Sequence, residues 1–185
     1  MIELSAKTTA LVLVDLQRGI LGLSLAPWTG QQVFDRSLQL ASRLRSAGGQ
    51  VVRVKVDFGD NGKLSPSGLV DQPSSSARPA DFSQFPDEPL PAEDVVVTKR
   101  HWGSFHGTTL DLELRRRGIK TVVVAGIATN MGVESTVRSA HEHGYDVVVV
   151  SDATTTFSAA MNTFAFEHIF PRISRVAACD EITFL

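Results

Sequence analysis

The sequence predicts an α/β fold in three layers, α/β/α, with a parallel sheet between two layers of helices. Short runs of β-branched and apolar residues alternate with longer amphipathic segments, as in strands connected by helices. The strand runs are continuous in apolar character, which indicates a sheet covered on both faces. Strands are predicted at 9–16, 51–56, 95–98, 121–125 and 147–150, and a shorter run at 176–178 is a candidate sixth.

Helices are predicted between these strands at 31–47, 108–117, 130–143 and 158–170. The first three end at Gly48, Gly118 and Gly144, and glycine stops a helix because it adopts the left-handed conformation at little cost. The fourth is expected to end before Pro171, since proline lacks the backbone N–H that a continuing helix needs.

The segment 58–93 is predicted to be a long loop because it contains six prolines among Ser, Asp and Gly residues. A loop of that length in a compact domain is usually a lid, a binding loop or an arm to another subunit. A disordered insertion is the alternative, which is less favoured because the segment contains possible apolar anchors: Phe58, Leu64, Leu69, Val70, Phe82 and Phe85.

Composition indicates one cytoplasmic domain spanning 1–185. The chain has 185 residues, 43% of them hydrophobic, and a net charge of −2, which favours neither nucleic acid nor an anionic membrane as a partner. The single cysteine, Cys179, excludes an internal disulfide and is expected to be a small buried apolar residue. The N-terminus lacks the pattern of a secretion signal, and no apolar run approaches the ~20 residues of a membrane helix.

Polar residues follow the predicted strands, at the edge where parallel α/β sheets bind their ligands. They are Asp15, Asp57, Lys99, the Thr129–Asn130 turn and Ser151–Asp152. Each alone is weak evidence, because an Asp at a strand end is often a turn or helix cap. Together they predict that an aspartate, a lysine and a helix start converge at one rim.

Gly132 lies in the first turn of the helix predicted after the fourth strand. Backbone N–H groups and the helix dipole make such a helix start suitable for an anion, and we expect the N–H groups of Met131, Gly132 and Val133 to hold one. Glycine costs roughly 1 kcal/mol relative to alanine in a helix, so its presence requires a reason. Room for a substrate ring is one reason, and close helix–strand packing is the alternative.

Four motifs follow one another along the chain. They are Leu13–Gln17, Lys99–Phe105 followed by Gly107, Thr108 and Leu110, Gly126–Thr136, and Gly144–Tyr145 with Ser151–Ala153. In this order they resemble the motifs of the isochorismatase-like, or cysteine hydrolase, superfamily over nearly the whole chain. The resemblance implies a six-stranded parallel sheet, a catalytic triad of Asp, Lys and Cys, and a cis peptide bond just before the nucleophile turn.

By this resemblance Asp15 and Lys99 take two triad positions, and Ile127–Ala128 is the cis bond. The cysteine position falls on Gly132, which supplies no thiolate for the acyl-enzyme that amidases of the superfamily form. True isochorismatases resemble this chain in having glycine there, because they hydrolyse a vinyl ether without a covalent intermediate. The nicotinamidase-like Asp-x-His metal motif is also missing, so we expect no metal and no cofactor.

Further candidates surround these catalytic positions. The predicted substrate-binding residues are Gln17, Arg100, Trp102, Phe105, Ile127, Ala128, Thr129, Asn130 and Met131. Trp102 and Phe105 could equally belong to the core. The expected partner is a small-molecule substrate. The resemblance also implies a homo-oligomer, a dimer or tetramer, for which a stripe of Phe157, Met161, Phe164 and His168 is a candidate surface unless it packs on the sheet.

Three functions remain open. The first is a hydrolase of the isochorismatase type acting on a small carboxylate, with Asp15 as general acid and Lys99 holding either the substrate's carboxylate or the Asp15 carboxyl. Burial would raise the pKa of Asp15 and Lys99 would lower it, and the sequence does not decide between them. The second is an amidase-type hydrolase that uses water or another residue as nucleophile. The third is a catalytically inactive binding or assembly protein on this scaffold.

Overall fold

A computed structural model describes residues 1–73 and 78–185 of the chain. Its strands are β1 (Ile2–Leu4), β2 (Thr9–Val14), β3 (Gln50–Val56), β4 (Val95–Lys99), β5 (Thr121–Ile127), β6 (Asp146–Thr155), β7 (Arg175–Ala177) and β8 (Ile182–Phe184). Its α-helices are α1 (Arg18–Leu21), α2 (Gly30–Ser46), α3 (Leu110–Arg116), α4 (Glu134–Glu142), α5 (Ala159–Phe164) and α6 (Phe170–Ile173).

Six strands form one parallel sheet in the order β4-β3-β2-β5-β6-β7. The predicted three-layer α/β fold with a six-stranded parallel sheet is confirmed. Strands β1 and β8 form a separate parallel pair. The winding reverses between the adjacent strands β2 and β5, and ligands of such sheets bind in the crevice beyond the carboxyl ends of the strands at this point. The fold therefore places Asp15, directly after β2, beside the turn that follows β5.

Two hydrophobic clusters cover the two faces of the sheet. Leu11 and Leu13 of β2 point into one cluster, while Val12 and Val14 point into the other, because successive side chains of a strand alternate between faces. All four are fully buried. The first cluster includes Leu40 and Leu44 of α2, and the second includes Leu110, Leu114 and Val137 of α3 and α4. Each such side chain contributes roughly 1.5–3 kcal/mol by leaving water.

The helix predicted at 158–170 continues past Pro171. Ser158 caps it by accepting a hydrogen bond from the Met161 N–H, α5 follows, and the segment Ala165–Ile169 widens into a π-helix. Pro171 stands at the start of α6, where a missing backbone N–H leaves few helical hydrogen bonds unmade. The prediction that the helix ends before Pro171 is therefore wrong.

The apolar stripe on this last helical stretch faces outward. Phe157, Met161 and Phe164 are 47%, 46% and 57% exposed. The alternative that the stripe packs on the sheet is therefore wrong, while a homo-oligomer formed through it stays a prediction. No helix in the described part of the chain combines the length and apolar character that a membrane span requires.

The connection between β3 and β4 contains the predicted long loop. In its described part the regular element is a single short 3₁₀-helix, Asp60–Gly62, and the positions 74–77 lie outside the described residues. Of the proposed anchors, Phe85 is fully buried and packs on the guanidinium of Arg53, while the three aliphatic ones, Leu64, Leu69 and Val70, are exposed. The loop is thus held by aromatic side chains rather than by aliphatic ones.

Candidate active site

Asp15 and Lys99 meet at the carboxyl edge of the sheet. The Lys99 Nζ lies 2.7 Å from Asp15 Oδ2, and the two side chains are 2% and 7% exposed. Asp15 follows β2 and Lys99 ends β4, so the lysine side chain extends past the end of β3 to reach the carboxylate. The structure thus brings together two of the polar residues that were predicted to converge at this edge, the aspartate and the lysine.

All three ammonium protons of Lys99 have acceptors within the chain. Besides Asp15, the Nζ donates to the carbonyl oxygens of His101 at 3.1 Å and Trp102 at 2.7 Å. An ammonium group has three donors and no acceptor. Lys99 therefore has no proton left for a substrate carboxylate, and of the two roles proposed for it the geometry supports orientation of the Asp15 carboxyl.

Asp15 has one paired and one unpaired oxygen. Its Oδ1 is buried and makes no hydrogen bond to the described residues, while Oδ2 accepts from Lys99. Burial raises the pKa of the Asp15 carboxyl from 3.8 to about 6, although the charge and hydrogen bond of Lys99, and to a smaller extent the backbone of Val56, lower it in part. Desolvation thus exceeds the effect of the ion pair. A carboxyl with this pKa is protonated in a larger fraction of molecules at mildly acidic pH than an ordinary aspartate, and it can donate that proton.

Asp15 is also held in an unusual backbone conformation. Its φ is +54°, in the left-handed region that residues other than glycine seldom adopt, although aspartate tolerates it better than most. Its N–H donates to the Val54 carbonyl at 3.0 Å, and its carbonyl accepts from the Gln17 N–H at 2.9 Å. The strand end and the following turn together fix where the carboxyl points.

Gly132 faces the same carboxyl. A Cβ added to it would lie 3.3 Å from Asp15 Oδ2, 3.3 Å from the Trp102 carbonyl oxygen and 3.2 Å from Val14 Cγ1. This gap admits a methyl-sized group only with small shifts of its neighbours. The room for a substrate ring that was predicted directly over Gly132 is therefore not present.

The backbone around Gly132 differs from the predicted anion site. Residues Thr129–Val133 form a π-helical turn, in which the N–H groups of Met131 and Val133 both donate to the Ala128 carbonyl at 3.1 Å. Two of the three donors expected to hold an anion are therefore engaged. Because a π turn widens the backbone, the first α-helical hydrogen bonds begin only with α4.

Buried polar contacts fix the turn that follows β5. The peptide bond between Ile127 and Ala128 is cis. The next two residues bind side chains of the β6–α5 region, since Thr129 Oγ1 donates to Asn162 Oδ1 at 2.7 Å and Asn130 Oδ1 accepts from Thr156 Oγ1 at 2.5 Å. These contacts occupy the side chains of Thr129 and Asn130, which were predicted to bind substrate, in positioning the turn.

Gln17 and Arg100 are likewise occupied by the protein. The Gln17 amide donates to the carbonyls of Val56 and Phe82, at 3.0 and 2.8 Å, and accepts from the Val56 N–H at 2.8 Å. The Arg100 guanidinium donates to the Asp57 carbonyl and lies 4.0 Å from its carboxylate. Gln17 thus joins the end of β3 to the long loop, a structural role that its position in a motif did not reveal.

The two aromatic candidates have different surroundings. Phe105 is 7% exposed and packs on His143 and Tyr145, with ring centroids 5.1 and 6.0 Å apart, in the cluster under α3 and α4. It is therefore a core residue rather than a substrate wall. Trp102 is 61% exposed, and it is the Trp102 carbonyl that contacts Lys99.

Ser104 and Thr136 are site residues that the sequence reasoning missed. Thr136 Oγ1 donates to the Gly132 carbonyl at 2.6 Å and accepts from the Ser104 N–H at 3.1 Å. The two hydroxyl oxygens are 2.8 Å apart. Both residues belong to motifs noted above, but hydroxyl groups that link two backbone segments have no sequence pattern of their own. They connect the segment after β4 to the turn that contains Gly132.

Neither a displaced thiol nor a metal cluster completes this site. Cys179 is partly buried, and its burial together with the neighbouring Asp152 raises the pKa of its thiol to about 12, so it remains a thiol at neutral pH. Across 1–73 and 78–185, no three His, Cys, Asp or Glu side chains cluster as metal ligands. What the arrangement can do chemically is transfer a proton at Asp15.

Comparison with known proteins places the chain in a family. The model of the isochorismatase domain matches residues 9–181. An uncharacterised isochorismatase family protein, YecD of Escherichia coli O157:H7, is 43% identical over 184 residues, which are 98% of this chain and 98% of that protein. An isochorismatase family protein from Burkholderia thailandensis has a structure that superposes with a TM-score of 0.91 at 43% identity, covering 95% of this chain and 94% of the other.

A more distant structure carries a named activity. N-carbamoylsarcosine amidase from Thermoplasma acidophilum is 27% identical and superposes with a TM-score of 0.73, covering 95% of this chain and 98% of the other. The matched family domain spans every strand of the six-stranded sheet and both residues of the buried ion pair. The chain therefore belongs to the isochorismatase family and is a hydrolase.

Proposed function

We propose that this hydrolase cleaves a vinyl-ether bond in a small substrate bearing a carboxylate, by acid catalysis without a covalent intermediate. The observation that carries the proposal is the Asp15 carboxyl, which has one oxygen held by Lys99 and the other buried and unpaired. A proton on Oδ1 would have no acceptor among the described residues, so a substrate that reaches this buried oxygen would take it.

Hydrolysis of the vinyl ether begins with transfer of this proton from Asp15. Protonation of the terminal vinyl carbon by Asp15 produces an oxocarbenium ion, water adds to it, and the hemiketal collapses to a carbonyl compound and an alcohol. The Asp15 carboxylate left after the first step regains a proton from the water that adds. A general acid works best when its pKa lies near the working pH, and the raised pKa of about 6 meets this requirement.

Lys99 is a positioning residue in this scheme. Its three donors are directed to Asp15 and to the carbonyls of His101 and Trp102, so it orients the carboxyl and does not bind substrate. It also stabilises the carboxylate that forms when the proton leaves, because an ammonium group at 2.7 Å in a buried site interacts strongly with a new negative charge.

The absence of a side chain at Gly132 supports the non-covalent route. By the family resemblance this residue takes the position of the nucleophilic cysteine, and a Cβ there would lie 3.3 Å from Asp15 Oδ2. Amide hydrolysis through an acyl-enzyme needs a nucleophile at that point. A vinyl ether does not, since water attacks a cation that is already highly electrophilic.

An amide hydrolase is the second candidate, favoured by the likeness to N-carbamoylsarcosine amidase. In that case the ionised Asp15 would activate a water as general base. The two routes need opposite protonation states of the same carboxyl. Activity of the first would decline as Asp15 ionises, and activity of the second would rise.

A substrate panel separates these candidates. Purified protein is assayed with isochorismate as a vinyl ether and with nicotinamide and N-carbamoylsarcosine as amides, beside the Asp15→Asn variant. We expect turnover of the vinyl ether alone and a loss of about 10²-fold or more in the variant. Turnover of the amides would support the second candidate. No turnover by folded protein would contradict both and leave a binding protein.

A further inference from the structure

A cavity of 480 Å³ opens in the segment that follows β3, at the edge of the sheet that carries Asp15 and Lys99. Its lining comes from the end of β3 and from the long loop, and it includes Asp57, Phe58, Gly62, Arg78, Phe82 and Ser83. The Asp57 N–H donates to the Lys99 carbonyl at 3.1 Å, so the first residue of the cavity lining is hydrogen-bonded to the backbone of Lys99. The Phe82 carbonyl accepts from Gln17 and Gly19, which ties its far wall to the segment after Asp15.

Arg78 is the cationic residue among the described residues that line this cavity. Its guanidinium carbon lies 4.2 Å from the ring centroid of Phe58 and 5.4 Å from that of Phe82. No carboxylate of the described chain lies within salt-bridge distance of it, in contrast to Arg18 and Arg100, which face Asp81 and Asp57. The charge of Arg78 is held in place by aromatic rings.

Stacking on aromatic rings engages the face of this guanidinium and not its N–H donors. Contact with an aromatic ring uses the face of the planar group, while its N–H donors project from the edge and match a carboxylate with two parallel hydrogen bonds. Gly62, with φ of +71°, lies beside this edge, since a Cβ there would be 3.6 Å from the Arg78 Nη1. A Cβ at 62 would be in ordinary contact with the guanidinium, and it is the positive φ that favours glycine at this position.

Two acidic residues, Asp57 and Asp60, line the cavity, and neither forms an ion pair with Arg78. The Asp57 carboxylate accepts from the Gly59 N–H at 2.9 Å and faces Arg100, so its charge is already compensated. Lys99 cannot take a second anion because its three protons are bound. Arg78 is the cation in the cavity lining, and it forms no ion pair with a carboxylate of the described chain.

We propose that Arg78 binds the carboxylate of the substrate in this cavity, with the apolar part of the substrate against Phe58 and Phe82. The inference rests on the proposed function, and it names the anchor that Lys99 cannot provide. It makes Arg78 a determinant of specificity for carboxylate-bearing over neutral substrates. The Asp57 N–H bond to the Lys99 carbonyl places such a substrate at the edge of the sheet that carries Asp15 and Lys99.

The test uses ligand binding and not turnover, so that it is independent of the reaction. Benzoate and its neutral analogue benzamide are titrated into ¹⁵N-labelled protein, and the backbone signals of Gly59, Gly62 and Ser83 and the Arg78 Nε–H signal are followed by NMR. Benzoate is expected to shift these signals in a saturable manner. Benzamide at equal concentration is expected to bind about tenfold more weakly or not at all.

Variants assign the effect to Arg78. Arg78→Gln should weaken benzoate binding about tenfold, and Arg78→Lys should recover part of the loss because it keeps the charge without the planar fork. Arg116→Gln, which removes an exposed charge on α3, should change it less than about twofold. Asp15→Asn should also leave benzoate binding intact, so that a failure of the catalytic proposal can be told apart from a failure here.

Two results would overturn the inference. One is benzoate binding that persists unchanged in Arg78→Gln while the variant remains folded by its amide spectrum. The other is equal binding of benzoate and benzamide in the unmodified protein, which would show that the cavity recognises the ring and not the carboxylate.

Discussion

Asp15 and Lys99 form a buried ion pair of 2.7 Å although strand β3 lies between the strands that carry them. The pair holds one carboxylate oxygen and leaves the other without a partner among the described residues. Burial raises the pKa of Asp15 more than Lys99 lowers it, and the pKa is raised to about 6. This carboxyl is proposed to deliver the reacting proton. Its protonation should therefore make both the stability and the activity of the protein depend on pH.

The first prediction concerns stability against pH. The pKa of Asp15 is about 6 in the folded protein and 3.8 as its ordinary value, so the folded state binds more protons between these limits. The stabilisation is complete below pH 3.8 and is lost as pH rises through 6, by about 3 kcal/mol for two pKa units. The free energy of unfolding, measured with urea at pH 4 and pH 7, should therefore fall with rising pH more in the unmodified protein than in Asp15→Asn. Parallel pH dependence of the two proteins would contradict it.

The second prediction concerns Lys99→Met. The substitution keeps the volume but removes the charge opposite Asp15 and leaves the carbonyls of His101 and Trp102 without a donor. We expect a loss of about 2–4 kcal/mol in the free energy of unfolding at pH 8. The loss should be smaller at pH 5, where Asp15 carries a proton. Lys120→Met, at an exposed position near the opposite edge of the sheet, is the control and should cost less than about 0.5 kcal/mol.

The third prediction concerns Gly132→Cys. The helical gain over glycine, up to about 1 kcal/mol, offsets the crowding of a Cβ at 3.2–3.3 Å from three atoms, so the variant should fold with little change in stability. Its thiol would stand beside Asp15, which could accept the proton. Labelling with iodoacetamide should be fast in the variant and slow in the unmodified protein, whose Cys179 has a raised pKa. Equal labelling of the two would contradict this placement.

The fourth prediction concerns the attachment of the long loop. Arg53 is fully buried, and it binds Asp87 with two hydrogen bonds of 2.8 Å. Asp87→Ala would leave the guanidinium with only the more distant Asp94, at 4.0 Å, and should cost about 2–4 kcal/mol. Asp81→Ala is the matched control in the same loop, because its pair with Arg18 is half exposed, and it should cost less than about 1 kcal/mol. Similar losses in both variants would contradict the assigned role.

The sequence predicted the sheet and the approach of Asp15 to Lys99 for a simple physical reason. Continuous apolar runs indicate strands covered on both faces, and the carboxyl ends of parallel strands share one edge. It did not reveal that the carbonyls of His101 and Trp102 would take the remaining protons of Lys99. Backbone carbonyls are present at every residue, so their direction becomes known only from the folded chain.

The misassigned residues have similar explanations. Gln17 and Phe105 lie within motifs that surround the site, but one bonds to the backbone of β3 and the long loop and the other packs in the core. A motif shows that residues are near a site, and not which way each side chain points. The end of the last helix was mispredicted at Pro171 for another reason. A π-helical turn precedes this proline, and an α-helical turn follows it.

The pH dependence of kcat/KM for a vinyl-ether substrate tests the central claim most directly. If Asp15 donates the proton, kcat/KM should be constant below about pH 6 and fall about tenfold per pH unit above it, and Asp15→Asn should lack this activity at every pH. A value of kcat/KM that rises through pH 6, or an Asp15→Asn variant with undiminished activity, would contradict acid catalysis by Asp15.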